Sequence, residues 1–132
     1  MSEVKTNKLT GTSTAGSIVV TGEGNSTTTN LQQGLVKVWQ STDVTTLNDS
    51  NNVSSVTDTA TGKLTVNYTA NMANNDYAVT MSCAIGSQVP ICSPQDNTHI
   101  TTSAHRCHTL ISNGGAEADA EYIGSQVTGD LA

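Results

Sequence analysis

The chain has 132 residues, a formal net charge of −6, and 5 Lys or Arg against 11 Asp or Glu. With no basic cluster to displace counterions, the composition argues against nucleic acid and against an anionic membrane surface as partners. The apolar share is 35%, Phe is absent, and the aromatics are Trp39, Tyr68, Tyr77 and Tyr122, so a thin core completed by further copies of the chain is expected. Charged residues make up only 12%. Ser, Thr and Asn fill the gap, which suits strands and turns better than a disordered tail.

The N-terminus begins Met1-Ser2-Glu3-Val4-Lys5 and carries no apolar run, so no signal peptide is expected. No stretch is long and apolar enough to span a bilayer as a helix. Cys83, Cys92 and Cys107 are an odd number, which points to reduced thiols and synthesis in a cytoplasm.

In chain order, residues 1–29 read as an N-terminal arm or hairpin, with short strands over 4–10 and 17–21 broken at Gly11, Gly16, Gly22 and Gly24. The segment 30–41 reads as a short helix. Leu31, Leu35, Val38 and Trp39 share one face over 30–40, Asn30 is a cap, and Gln33 completes a capping box. These four apolar residues are the predicted core or oligomer anchor.

Residues 42–132 read as an antiparallel β domain. Strands are predicted over 53–58, 64–69, 77–83, 99–102, 106–112 and 121–127. Leu64, Val66 and Tyr68 alternate onto one face, as do Tyr77, Val79, Met81 and Cys83. Turns fall at Thr61-Gly62, Asn74-Asn75-Asp76 and Asn113-Gly114-Gly115, and 84–98, with both prolines, reads as a loop. The fold class is therefore mainly β, a β-sandwich or jelly-roll-like knob with one short helix.

The chemistry-bearing residues are few. His99, His105, Cys107 and His108 are metal-ligating types, and His105 and Cys107 share a strand face. No second pair stands at zinc-finger spacing, so no metal is expected; His105 and Cys107 are the candidates if one is held. Cys107 and His108 point to opposite faces, and no nucleophile signature surrounds any Cys. Glu117, Asp119 and Glu121 stand two apart and would line one strand face as paired carboxylates or a cation site, but more simply as a solvated edge. No catalytic residue, no cofactor and no enzymatic activity are expected.

Several stretches carry a resemblance. They are residues 7–18 (NKLTGTSTAGSI), 20–24 (VTGEG), 28–39 (TTNLQQGLVKVW), 47–50 (LNDS), 52–58 (NVSSVTD), 61–68 (TGKLTVNY), 75–79 (NDYAV) and 128–132 (TGDLA). Together they resemble small virion surface proteins and fibre knobs of marine tailed bacteriophages, over nearly the whole chain. That family pattern has an aromatic where this chain has Asn51, so a rearranged core is expected there. The resemblance implies a structural protein at the virion surface and a homotrimer. Its partners would be capsid or tail proteins of the same particle, with a host surface glycan or protein as a further one. A chain starting at Met1 with no long shaft favours a capsid decoration or short head fibre held by its N-terminal segment. The alternative is a tail-fibre or tail-tip knob that binds a host receptor through residues 84–98 and 113–119.

Overall fold

The computed structural model describes residues 3–11, 18–22 and 27–132, apart from the side chain of Gln33. The predicted breaks at Gly16 and Gly24, and the start of the 17–21 strand, lie outside the described residues. The chain divides into two units, Met1–Leu35 and Val36–Ala132.

In the first unit, residues 4–10 do not form the predicted strand. Thr6 Oγ1 donates to the Lys8 carbonyl at 2.6 Å and accepts from the Lys8 amide at 3.2 Å. Such local side-chain bonds compete with strand pairing. Strand β1 (Val19–Thr21) pairs antiparallel with β2 (Thr28–Asn30), Val19 opposite Asn30. This is a small hairpin whose second strand, Thr28–Asn30, was not among the strands expected of the segment.

Helix α1 is a single turn, Leu31–Gly34, started by Asn30, whose Oδ1 accepts from the Gln32 amide at 2.8 Å. The helix predicted over 30–41 is thus corrected: its second half is strand β3, Val36–Thr42. Gly34 weakens a helix that is already too short to hold alone. Beyond it, Val36, Val38, Trp39 and Thr42 favour a strand, and β3 is paired on both sides.

The second unit continues with β4 (Leu47–Asn51), β5 (Val53–Ala60), β6 (Lys63–Tyr68), β7 (Ala78–Ala84), β8 (Pro90–Pro94), β9 (Ile100–Thr101), β10 (Ala104–Ile111) and β11 (Tyr122–Thr128). It is mainly β, and its pairings are antiparallel. One sheet has the order β4-β3-β11-β7; the other is β5-β6-β10-β8, with β9 also on β10. The core draws Val38, Ile123 and Val127 from the first sheet and Leu64, Val66 and Cys107 from the second. Tyr68, Met72, Ile85 and Ala120 complete it. The sheets therefore face each other, as the alternating pattern of β6 requires.

Two further expectations are revised. The 84–98 loop contains a strand, β8, with Pro90 and Pro94 at its two ends. Proline is tolerated there because β8 is an edge strand. Strand β4 was not foreseen, since Leu47-Asn48-Asp49-Ser50-Asn51 has one apolar residue. Asn51 lies exposed on β4 opposite Trp39, and its amide donates to the Lys37 carbonyl at 3.4 Å. That position does not face the core.

Candidate functional site

The buried polar groups converge on His105, which is 0% exposed on β10. Its Nδ1 lies 2.8 Å from Tyr68 Oη and its Nε2 lies 3.1 Å from Ser125 Oγ on the opposite sheet. Tyr68 Oη is 3.1 Å from Tyr77 Oη, which lies 2.8 Å from the Thr101 carbonyl and 3.0 Å from that of Ala104. At the other end Gln40 Nε2 donates to Ser125 Oγ at 3.2 Å.

The direction of this chain follows from its carbonyl end. A carbonyl can only accept, so Tyr77 donates to it, and Tyr68 must donate to Tyr77. His105 then donates from Nδ1 to Tyr68, and its Nε2 accepts the Ser125 hydroxyl proton. Each bond from Gln40 Nε2 to the Thr101 carbonyl is accommodated by a neutral imidazole with its proton on Nδ1, while Gln40 Oε1, at the end of the chain, is buried with no hydrogen-bond partner among the described residues. Burial supports the same state by holding the His105 pKa down at about 4. The Tyr68 and Tyr77 hydroxyls are both pushed up, chiefly by burial. Tyr68→Phe breaks the chain at its middle and strands the His105 Nδ1 proton. It is expected to lower stability by about 1–3 kcal/mol, read as a lower urea midpoint at unchanged m-value.

Ser125 is only 3% exposed, and the two His105 nitrogens are both occupied. The Ser–His pair resembles part of a hydrolytic triad in composition alone. A nucleophile must be reached by substrate, and its base must be oriented by an acceptor; here tyrosine takes that place. The arrangement ties β10 to β11 across the core and sets the two sheets in register.

The other candidates scatter. Cys107 is buried on the same face as His105, as expected, with its thiol pushed up to about 12 by burial. The Cys83 thiol is also pushed up to about 12, by burial and then by Cys92 beside it. Neither is a thiolate at neutral pH. His99 lies 2.7 Å from Asp96, which caps the 3-10 turn Asn97–His99. Hydrogen bonds from Thr98 and then His99 hold Asp96 at about 2. His108 faces the other way from Cys107, 3.0 Å from Glu117, which also pairs with Lys63 at 2.7 Å. The Lys63 contact is the first cause of the lowered Glu117 pKa.

Glu117 and Asp119 do not act together, and with Glu121 they precede β11 and line no strand. Glu117 takes Lys63 and His108, and Asp119 accepts the Gly62 amide at 2.7 Å. Among the described residues, no group of three His, Cys, Asp or Glu side chains is placed to hold a metal ion.

Of the predicted anchors, Val38 is in the core, Leu31 is half-buried and Leu35 is exposed. Trp39, the largest apolar side chain, is 36% exposed on the outer face of β3. Sequence reasoning missed Tyr68, Ser125 and Gln40, whose partners are remote in the chain. No family model, no curated protein and no solved structure matches this chain.

Proposed function

We propose that the chain is a structural protein of a tailed-bacteriophage virion. In this reading it is a small homotrimeric decoration or short head fibre. Residues 1–29 serve as an arm that docks on the shell or a neighbouring copy, and the β domain is a sandwich or jelly-roll-like knob that projects. Its place is the virion surface, after synthesis in the host cytoplasm, with no enzymatic role.

The observation that carries this reading is the apolar surface of the first unit. Val4, Leu9, Val19, Val20 and Leu35 are all exposed. Exposed apolar side chains gathered in one short segment are what an arm that docks on a partner would present. The resemblance across nearly the whole chain supports the same assignment.

Sedimentation equilibrium of the full chain at micromolar concentration is expected to give a trimer that binds particles lacking it. The triple variant Val19→Ser, Val20→Ser, Leu35→Ser should lose particle binding while its thermal unfolding is unchanged. A wild-type monomer that ignores the particle would remove this reading. A second reading, a tail-fibre or tail-tip knob that binds a host receptor, is favoured by one feature: Trp39 and Tyr122 are solvent-exposed on the β domain.

A further inference from the structure

The outer face of the β4-β3-β11-β7 sheet carries a depression of about 320 Å³. Strand register explains it. Across β3, β11 and β7, one row is Trp39, Gln126 and Thr80, and the next is Ser41, Gly124 and Ser82. Tyr122 follows on β11. Gly124 stands at the centre of the second row and has no side chain. A Cβ there would lie 2.6 Å from the Tyr122 hydroxyl and 2.8 Å from Ser82 Oγ. The Tyr122 side chain therefore reaches over the space that Gly124 leaves.

The lining defines a chemical class. Trp39 and Tyr122 are 36% and 41% exposed. They supply large, rigid contact surfaces at low cost in conformational entropy. Between and beside them stand the hydroxyls of Ser41, Thr80 and Ser82 and the amide of Gln126. No lining side chain carries a charge at neutral pH. The chain as a whole is at −6, so an anionic ligand would meet repulsion and find no cation to pair with. A ligand that fits has flat apolar C–H faces and neutral hydroxyls around its edge. The volume is at the small end of ligand pockets, which run from about 300 to 1,000 Å³.

We propose that this groove is a binding site for a neutral saccharide, with sugar rings packed on Trp39 and Tyr122 and hydroxyls bonded to Ser41, Thr80, Ser82 and Gln126. The site rests on the groove alone and holds whether the protein sits on head or tail.

Trp39 is the single tryptophan, so intrinsic fluorescence reports on the site itself. The probe is a panel of neutral oligosaccharides of glucose, galactose, mannose and N-acetylglucosamine, with sialylated counterparts, titrated into the full chain. At least one neutral member is expected to change Trp39 emission saturably in the millimolar range or below, with its sialylated counterpart weaker. Gly124→Ala fills the floor against movable side-chain tips, so the fold should hold. It and Tyr122→Ala are each expected to weaken binding by about tenfold or more, with unchanged thermal unfolding. A flat titration across the panel overturns the proposal, as does binding indifferent to both variants. So does a shift of Trp39 emission with protein concentration that Tyr122→Ala abolishes together with the oligomer, which would make the groove a contact between copies. Particle binding is scored separately, so failure here leaves the virion reading standing or falling on its own test.

Discussion

Replacing Gly62 by alanine is expected to cost about 4 kcal/mol of stability, a large share of the roughly 5–15 kcal/mol available to a domain. Two separate effects add. Gly62 has φ +70°, where an L-residue with a side chain is disfavoured by roughly 1–2 kcal/mol. The added methyl would also lie 2.5 Å from the Thr109 carbonyl oxygen and 3.1 Å from the Ala118 amide nitrogen. Those are backbone atoms and cannot swing aside. They are pinned by the Thr109 amide donating to the Gly62 carbonyl at 2.8 Å and by the Gly62 amide donating to Asp119 at 2.7 Å. The Thr109 hydroxyl adds a bond to the Ala118 carbonyl at 2.6 Å. The β5–β6 turn is thereby fastened to β10 and to the segment before β11. Gly114 provides the control, with φ +90° and nothing within 4 Å of the added carbon. Gly114→Ala should cost only the conformational share, about 1 kcal/mol. Urea unfolding of both variants separates the effects. Equal losses would mean that the close approach at Gly62 contributes nothing.

The β6 strand was legible from the sequence because its pattern is clean. Leu64, Val66 and Tyr68 alternate with Lys63, Thr65 and Asn67, and the buried set is the apolar one. The Thr61-Gly62 turn before it was equally plain. Strand β3 was not legible for a physical reason. Its inward positions are Val38, Gln40 and Thr42, two of them polar, while the largest apolar residue, Trp39, points outward. Reading the apolar residues 31, 35, 38 and 39 as one stripe then gives a helical period that the sheet overrides. Ser125 takes an amide proton of the buried Gln40, which leaves Gln40 Oε1 without a partner among the described residues, and no local pattern announces either fact. The same holds for His105, whose partners Tyr68 and Ser125 stand 37 and 20 residues away. Its shared face with Cys107 was visible; that it braces two sheets was not. The groove was hidden too, since Trp39, Gly124 and Ser82 meet only through the pairing of β3, β11 and β7.

The protein is expected to lose about 3 kcal/mol of stability between pH 6.5 and pH 4 through His105 alone. In the folded state burial holds its pKa at about 4, against 6.5 for a free imidazole. In that interval the unfolded chain binds a proton that the native state refuses, so stability rises with pH across the window and falls as acid is added. The slope approaches 1.4 kcal/mol per pH unit at mid-window. The hydrogen-bond chain gives this a structural meaning. A second proton on Nε2 would face the Ser125 oxygen in place of accepting its hydroxyl proton, so the direction set by the Thr101 and Ala104 carbonyls could no longer run through to Gln40. The exposed acids act elsewhere on the scale. Asp96, at about 2, and Asp43 and Glu117, both lowered, lose their contributions only as pH falls through and below the ordinary carboxylate range. Chemical denaturation at half-unit steps from pH 7 to pH 3.5 resolves the two regimes. His105→Gln should be less stable than wild type at pH 7 and nearly flat from pH 6.5 to pH 4.5. If the variant keeps the wild-type slope in that interval, the acid sensitivity belongs to other groups and His105 is not a neutral strut.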